Sequence, residues 1–224
     1  MALLDAAQHK IVSDAVAEAE LTTSGEIVPV LTNASDGYSD VVLAYCAAIA
    51  FTAMSVMAAF PTFYTGLWDG LFGGWGHDWT TGEFTTLMLG VGVLKFAATW
   101  AILQIDAVKF LLVPGPLKRA RVRDAAVRHF KVGAESRTHG HTGVMLYLSM
   151  QEHRAEIVAD SAIATLVPAE AWGEAMADML VEVRKGCIAE GIAAGVRDVG
   201  KVLSPHFPRA EDDTNELPDR LIEL

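Results

Sequence analysis

Three aspartates, Asp36, Asp40 and Asp160, are the residues of this chain best suited to chemistry. They follow short apolar runs that read as strands, and ligands of open α/β sheets gather outside the carboxyl ends of parallel strands. Asn33, Ser35, Asp36 and Asp40 leave the first run, and Asp160 and Ser161 leave the third. Carboxylates converging there would offer oxygen ligands to Ca²⁺ or Mg²⁺. A bound cation would in turn polarise a phosphoryl oxygen. The same residues also suit turns and caps, Asp160 especially, because it precedes a helical run. Asp36-Gly37-x-Ser39-Asp40 has the beginning of a calcium loop but lacks the distal Glu of an EF-hand.

The remaining reactive groups are scattered. His139-Gly140-His141 sits in a turn, where a surface loop is the simpler expectation than zinc ligation. His77-Asp78 is an adjacent pair with no further Cys or His beside it, which reads as a solvated turn. His153 falls in the turn Gln151-Glu152-His153. Cys46 lies in an apolar run and Cys187 joins two helices, so both are expected as free thiols. No phosphate-binding loop, nucleophile elbow or dinucleotide fingerprint occurs.

The elements that must hold these groups are dominated by two apolar stretches. Val41 to Phe60 runs twenty residues without a charge, and Phe84 to Val113 follows after a loop rich in glycine and tryptophan. Twenty helical residues cover the ~30 Å hydrocarbon core of a bilayer. Mean hydropathy is +0.31, with 52% of residues hydrophobic and 20% charged, which agrees with a membrane hairpin. Met1 to Leu21 is not a signal peptide, since Asp5, Lys10, Asp14, Glu18 and Glu20 interrupt it. Its Leu4, Ala7, Ile11, Ala15 and Ala19 recur at helical spacing instead.

Pro61 to Glu83 contains no Lys or Arg, whereas Lys118, Arg119, Arg121, Arg123, Arg128 and Lys131 follow the second stretch. The positive-inside rule then puts that end and the N-terminus in the cytoplasm. A second span from about Val91 to Val113 would place Lys95 near the outer interface, within snorkelling reach. It would also make Asp106 and Lys109 neutralising neighbours at the inner end. Read functionally, Lys95, Gln104, Asp106 and Lys109 would form a polar site between helices or subunits that handles protons or ions. Small residues in both stretches predict close packing of the two helices, with a homo-oligomer as a further option.

The flanks join into one soluble domain once the hairpin is set aside. A helix precedes the strand Glu26 to Thr32, in which Pro29 marks a bulge or an edge. A basic helix, Leu117 to Val132, is followed by strands Gly143 to Ser149 and Arg154 to Ala159. Two helices then carry Trp172, Met176, Met179 and Val183, and Ile188, Ile192, Val196, Val199 and Leu203. From Pro205 the chain reads as an extended polar tail.

Ser24-Gly25-Glu26-Ile27-Val28-Pro29-Val30, Thr142-Gly143-Val144-Met145-Leu146-Tyr147-Leu148-Ser149 and Glu152-His153-Arg154-Ala155-Glu156-Ile157-Val158-Ala159-Asp160 resemble the core of the TPM-domain family. Phe207-Pro208 and Asn215-Glu216-Leu217-Pro218 resemble the tails of its short bacterial members, which insert two transmembrane helices after the first strand. The resemblance implies a three-layer α/β/α fold. It also implies one of two kinds of role: an acid-phosphatase-like, calcium-binding domain, or a non-enzymatic factor in photosystem II repair or receptor regulation. The family's GYGLEG after the third strand reads Ala159-Asp160-Ser161-Ala162-Ile163 here, so no catalytic residue is carried over.

The expectation is therefore an α/β TPM-like domain formed by residues 1–40 and 117–204, interrupted by a transmembrane hairpin at 41–116 and ended by a tail at 205–224. The protein would sit in the bacterial inner (cytoplasmic) membrane with both termini cytoplasmic. Its expected partners are the bilayer, anionic lipid headgroups and a membrane protein. A net charge of −11 argues against nucleic acid. The expected role is binding or regulation of a membrane-associated partner; the alternative is a metal-dependent hydrolase with Asp36, Asp40 and Asp160 as ligands. Catalysis is left open.

Overall fold

The computed structural model describes residues 3–72, 78–133, 142–209 and 216–224. His77, His139 and His141 lie outside them. The chain divides into two compact units, Met1–Asp36 with Gly115–Leu224, and Gly37–Pro114. The second unit thus begins and ends a few residues before the bounds expected from hydropathy.

The first unit is built on helix α1 (Ala6–Glu20), strand β1 (Glu26–Thr32), α6 (Gly115–Gly133), β2 (Gly143–Ser149), β3 (Arg154–Ala159), α7 (Ser161–Leu166), α8 (Ala169–Arg184), α9 (Ile188–Leu203) and β4 (Ile222–Glu223). The sheet order is β3-β2-β1-β4, with β1 parallel to β2 and β4, and β3 antiparallel to β2. Every residue of β1 and β2 is buried. Their two-residue alternation explains why. Ile27, Leu31, Val144, Leu146 and Leu148 pack with α1, α8 and α9, including Val12, Val16, Met179, Ile192, Val196 and Leu203. Val28, Val30, Met145 and Tyr147 face the other way, onto Val122, Ala125, Ala126 and Phe130 of α6. Two helical layers therefore enclose one sheet, the three-layer α/β/α arrangement that the resemblance implied. Each large apolar side chain buried this way contributes about 1.5–3 kcal/mol.

Asp5 opens α1 with a capping box, accepting from the Gln8 N–H at 2.8 Å while the Gln8 side chain accepts from the Asp5 N–H at 2.9 Å. The strand β1 is interior and keeps an unbroken register with β2, so Pro29 marks neither the edge nor the bulge it suggested. Pairing with β4 covers only Val30 and Leu31, so Pro29 falls just before that ladder begins and no bond is lost.

The segment expected as an extended polar tail instead folds back onto the sheet. Leu217 and Leu221 are buried, and the Leu224 N–H donates to the Leu31 carbonyl at 3.0 Å. The Glu223 carboxylate accepts from the Leu3 and Leu4 N–H groups at 2.8 and 2.9 Å and meets His9 Nε2 at 3.0 Å. The Glu26 carboxylate, only 5% exposed, accepts from the N–H groups of Glu216 and Leu217. Composition misled here, because this segment's anchors are backbone bonds, the Glu223 carboxylate and two leucines.

Glu20 lies among these contacts, accepting from the Ile27 N–H at 2.9 Å. Burial pushes its carboxyl up to about 8, and Glu26 and Asp219 nearby push the same way. A folded-state value above the ordinary 4.5 means the native state holds a proton that the unfolded chain releases. That stabilisation is complete below pH 4.5 and is lost as pH rises through about 8. The urea midpoint of the full chain in detergent should therefore fall between pH 5 and pH 8, and Glu20→Gln should flatten the profile. An equally steep fall in the Gln variant would assign the dependence to other groups.

The second unit contains α2 (Ser39–Ala59), α3 (Pro61–Phe72), α4 (Thr81–Ile102) and α5 (Asp106–Leu112). Cys46 near the start of α2 packs with Leu103 just after α4, so the two long helices run antiparallel. Val42, Cys46, Ala50 and Met57 form the buried edge of α2. Gly92 is the corresponding point of α4, where a Cβ would come 2.7 Å from Met54 Sδ. The small residues of both stretches thus do allow close packing. Thr80 and Glu83 close a capping box at the start of α4.

The second apolar stretch is not one helix to Val113. It stops at Ile102, turns through Leu103–Ile105 and restarts as α5. Asp106 favours that restart, since a carboxylate is stabilised at a helix N-terminus. Lys109 Nζ meets Asp106 Oδ1 at 2.8 Å, the pairing their spacing predicted. Lys95, however, lies seven residues from the Ile102 end and fourteen from Thr81, not at the loop end as a Val91–Val113 span implied.

Candidate functional site

The carboxyl ends of β1 and β2 meet in register at Thr32 and Ser149. Neighbours of β1 lie on both of its sides, β2 and β4, which makes this end a switch point of the kind where α/β sheets place ligands. The loop Asn33–Asp36 leaves β1 here and meets the turn between β2 and β3. Met150 N–H donates to the Thr32 carbonyl at 3.0 Å and Gln151 N–H to the Asn33 carbonyl at 2.9 Å. His153 adopts φ 51°, a left-handed conformation uncommon for a residue with a Cβ, and closes that turn.

Glu152 holds the two segments together. It is 2% exposed and accepts from the Ser35 N–H at 2.9 Å and from the Ser149 hydroxyl. Ser35 Oγ lies 3.2 Å from the Tyr147 hydroxyl. Burial raises the Tyr147 phenol above its ordinary value, against the lowering effect of the Ser35 hydrogen bond. The His129 ring stacks on Tyr147 with centroids 6.0 Å apart, and burial beside Arg128 lowers its imidazole. Asp36 Oδ2 meets Arg121 Nε at 3.3 Å, and Glu156 Oε2 meets Arg123 at 3.5 Å.

A hydroxyl on a carboxylate, as in Ser149 and Glu152, is also how a nucleophile is activated. Ser149 is 0% exposed, so no substrate reaches it and the pair is a structural lock. Arg119, Arg123 and Arg128 of α6 are exposed, as is Asp124 on the same helix.

The three candidate metal ligands take separate places. Asp36 ends the β1 loop and pairs with Arg121. Asp40 stands in the first turn of α2. Asp160 lies at the other end of the sheet from Asp36, because β3 runs antiparallel and its last residue, Ala159, pairs with Val144. Asp160 N–H donates to the Gly143 carbonyl, and its side chain caps α7 by accepting from the Ser161 N–H at 2.9 Å. The strand-end rule failed for Asp160 since it holds for parallel strands only. Among the described residues, no three His, Cys, Asp or Glu side chains gather as a metal site.

Sequence reasoning passed over Glu152, Tyr147, Ser149 and Arg121. Alternation along β2 places Tyr147 and Ser149 on one face, and Glu152 follows at once in a tight turn, but neither pattern names a partner.

A sheet of this order between two helical layers is a shared architecture, and comparison makes it specific. Residues 116–202 match the family model described as the TPM domain. The match runs from α6 into α9 and leaves α1, β1 and the hairpin outside it. The NMR structure of BA42 protein from the psychrophilic bacterium Bizionia argentinensis is similar, with a TM-score of 0.58 over 100% of this chain and 97% of that one. At 18% identity this likeness shows the fold alone. No curated protein matches the sequence. The α/β fold that the resemblance implied is present in the first unit, and the TPM match itself is confined to residues 116–202.

Proposed function

We propose that this chain is a two-span protein of the bacterial cytoplasmic membrane. Its discontinuous TPM-like domain lies on the cytoplasmic side with both termini and binds or regulates a membrane-associated partner. The observation that carries this reading is the apolar surface of the second unit. Two helices, Ser39–Ala59 and Thr81–Ile102, are long and apolar enough to cross a membrane. The second has Leu89, Val93, Leu94 and Trp100 exposed by 53%, 70%, 67% and 50%. A core helix of a soluble protein would cover such residues, and hydrocarbon is the solvent that suits them.

The cationic face of α6 supports the same orientation. It follows the second span after the short helix α5, and anionic headgroups attract each Lys or Arg near a membrane surface by about 1 kcal/mol. Phe63, Trp68 and Phe72 of α3 are exposed between the spans, as aromatic residues are at the opposite interface. The hydrolase alternative draws no support from the Asp36–Asp160 separation, and the Ser149–Glu152 pair is closed to substrate.

Thiol labelling tests the topology. Cys187 is exposed in the TPM-like domain and Gly70 lies in α3 between the spans. In spheroplasts, an impermeant maleimide should label Gly70→Cys but reach Cys187 only after lysis. Labelling of Cys187 in intact spheroplasts would overturn the orientation, and release of the chain by carbonate would overturn the spans. Phosphomonoester turnover by the purified chain, stimulated by Ca²⁺ or Mg²⁺ and lost in Asp160→Ala, would favour the hydrolase instead.

A further inference from the structure

Lys95 is a cation on the exposed side of α4, in the part of that helix that a bilayer would cover. It forms no ion pair among the described residues. Its Cα lies seven residues from the Ile102 end, about 10 Å along the axis, and fourteen residues, about 21 Å, from Thr81. The Cα–Cβ bond of a helical residue tilts toward the helix N-terminus, so the Lys95 stem leads away from the nearer end and toward mid-depth. Snorkelling, which serves cations at span ends, runs against that direction. An ammonium held there is costly unless a carboxylate meets it.

Among the described residues the hairpin brings none to that level: Asp106 lies past the turn that ends α4 and pairs with Lys109. Asp40 and Glu83 stand in the first turns of α2 and α4. Cys46 packs at the level of Leu103, and Asp40 precedes Cys46 by six residues, so Asp40 lies beyond the end of α4. Glu83 is at the far end of the same helix as Lys95. A parallel second copy would offer the same mismatched depths. Beside Lys95, Ala97, Ala98 and Ala101 are exposed small residues that let another backbone come close.

We infer that Lys95 is the contact through which α4 recognises a transmembrane helix of a second protein that carries Asp or Glu at the same depth. This inference rests on the two-span reading and names the chemistry of the partner proposed there.

The test uses the full chain in phosphatidylcholine vesicles, labelled at Cys187. The probes are leucine-based transmembrane peptides carrying Glu, Gln or Leu seven residues from their cytoplasmic end. Energy transfer should show the Glu peptide associating about tenfold more tightly than the Leu peptide, the scale of one polar contact between helices. Lys95→Leu should remove that preference, and Lys95→Arg should keep it. Equal affinity for all three peptides, with the chain floating alongside the vesicles, would overturn the inference and leave the spans intact. Self-association lost in Lys95→Leu would overturn it in favour of a second copy. A chain that does not float would overturn the two-span reading and the inference together.

Discussion

Replacing Glu152 by Ala should lower the unfolding free energy of the TPM-like domain by about 3 kcal/mol or more. Its buried carboxylate joins the Ser35 N–H, on the loop after β1, to the Ser149 hydroxyl at the end of β2. Hydrogen bonds to a charged acceptor are worth about 1.5–3 kcal/mol each, and the cost of orphaning buried donors is of similar size. Glu152→Gln should fall between the two, because an amide oxygen accepts one donor while its NH₂ confronts the other. Urea unfolding of the full chain in detergent, followed by far-UV circular dichroism, measures both. A loss below about 1 kcal/mol in the Ala variant would mean the two segments are held without this side chain.

The second large effect is expected at Gly191. A Cβ built there lies 2.8 Å from the Met179 carbonyl oxygen and 2.7 Å from Val183 Cγ2. The carbonyl belongs to the backbone of α8, so the side chain of Gly191→Val forces the two helices apart and opens the core around Met179 and Ile192. Overpacking of this kind costs about 1–3 kcal/mol and more where backbone must move. Gly173→Ala is the matched control. Gly173 is an exposed glycine of α8 with nothing within 4 Å of its built Cβ. Removing a glycine from a helix interior should stabilise by about 0.5–1 kcal/mol. If the two variants unfold alike, the close approach of α8 and α9 is not what holds that side of the sheet.

The strands were the most legible part of the fold. Their bounds follow from unbroken apolar runs at Glu26–Thr32 and Gly143–Ser149, because a strand covered on both faces has no polar side to blur it. The helices α8 and α9 were equally clear from Met179, Ile192, Val196 and Leu203 at helical spacing. Strand direction was not legible. Hydrophobic alternation is the same for parallel and antiparallel neighbours, so Asp160 was assigned to the wrong end of the sheet. The break at Leu103–Ile105 was hidden for a related reason: a turn with Leu103 and Ile105 around the single polar Gln104 barely lowers the local hydropathy. The site was harder still. Asp36 was visible as a carboxylate, but its partner Arg121 lies 85 positions away and only the fold brings them to 3.3 Å.

The position of β1 has a consequence for the order in which the protein is made. Both strands that flank it, β2 and β4, come after the two apolar helices in the chain. As synthesis proceeds, β1 emerges as a bare apolar segment with no ladder to join. It must wait until the segment that forms α2 to α5 has left the ribosome and β2 follows. Residues exposed in that interval are a target for wrong pairing. A pause while that segment is made would thus harm the sheet-bearing unit first, through an orphaned strand with no neighbour to pair with.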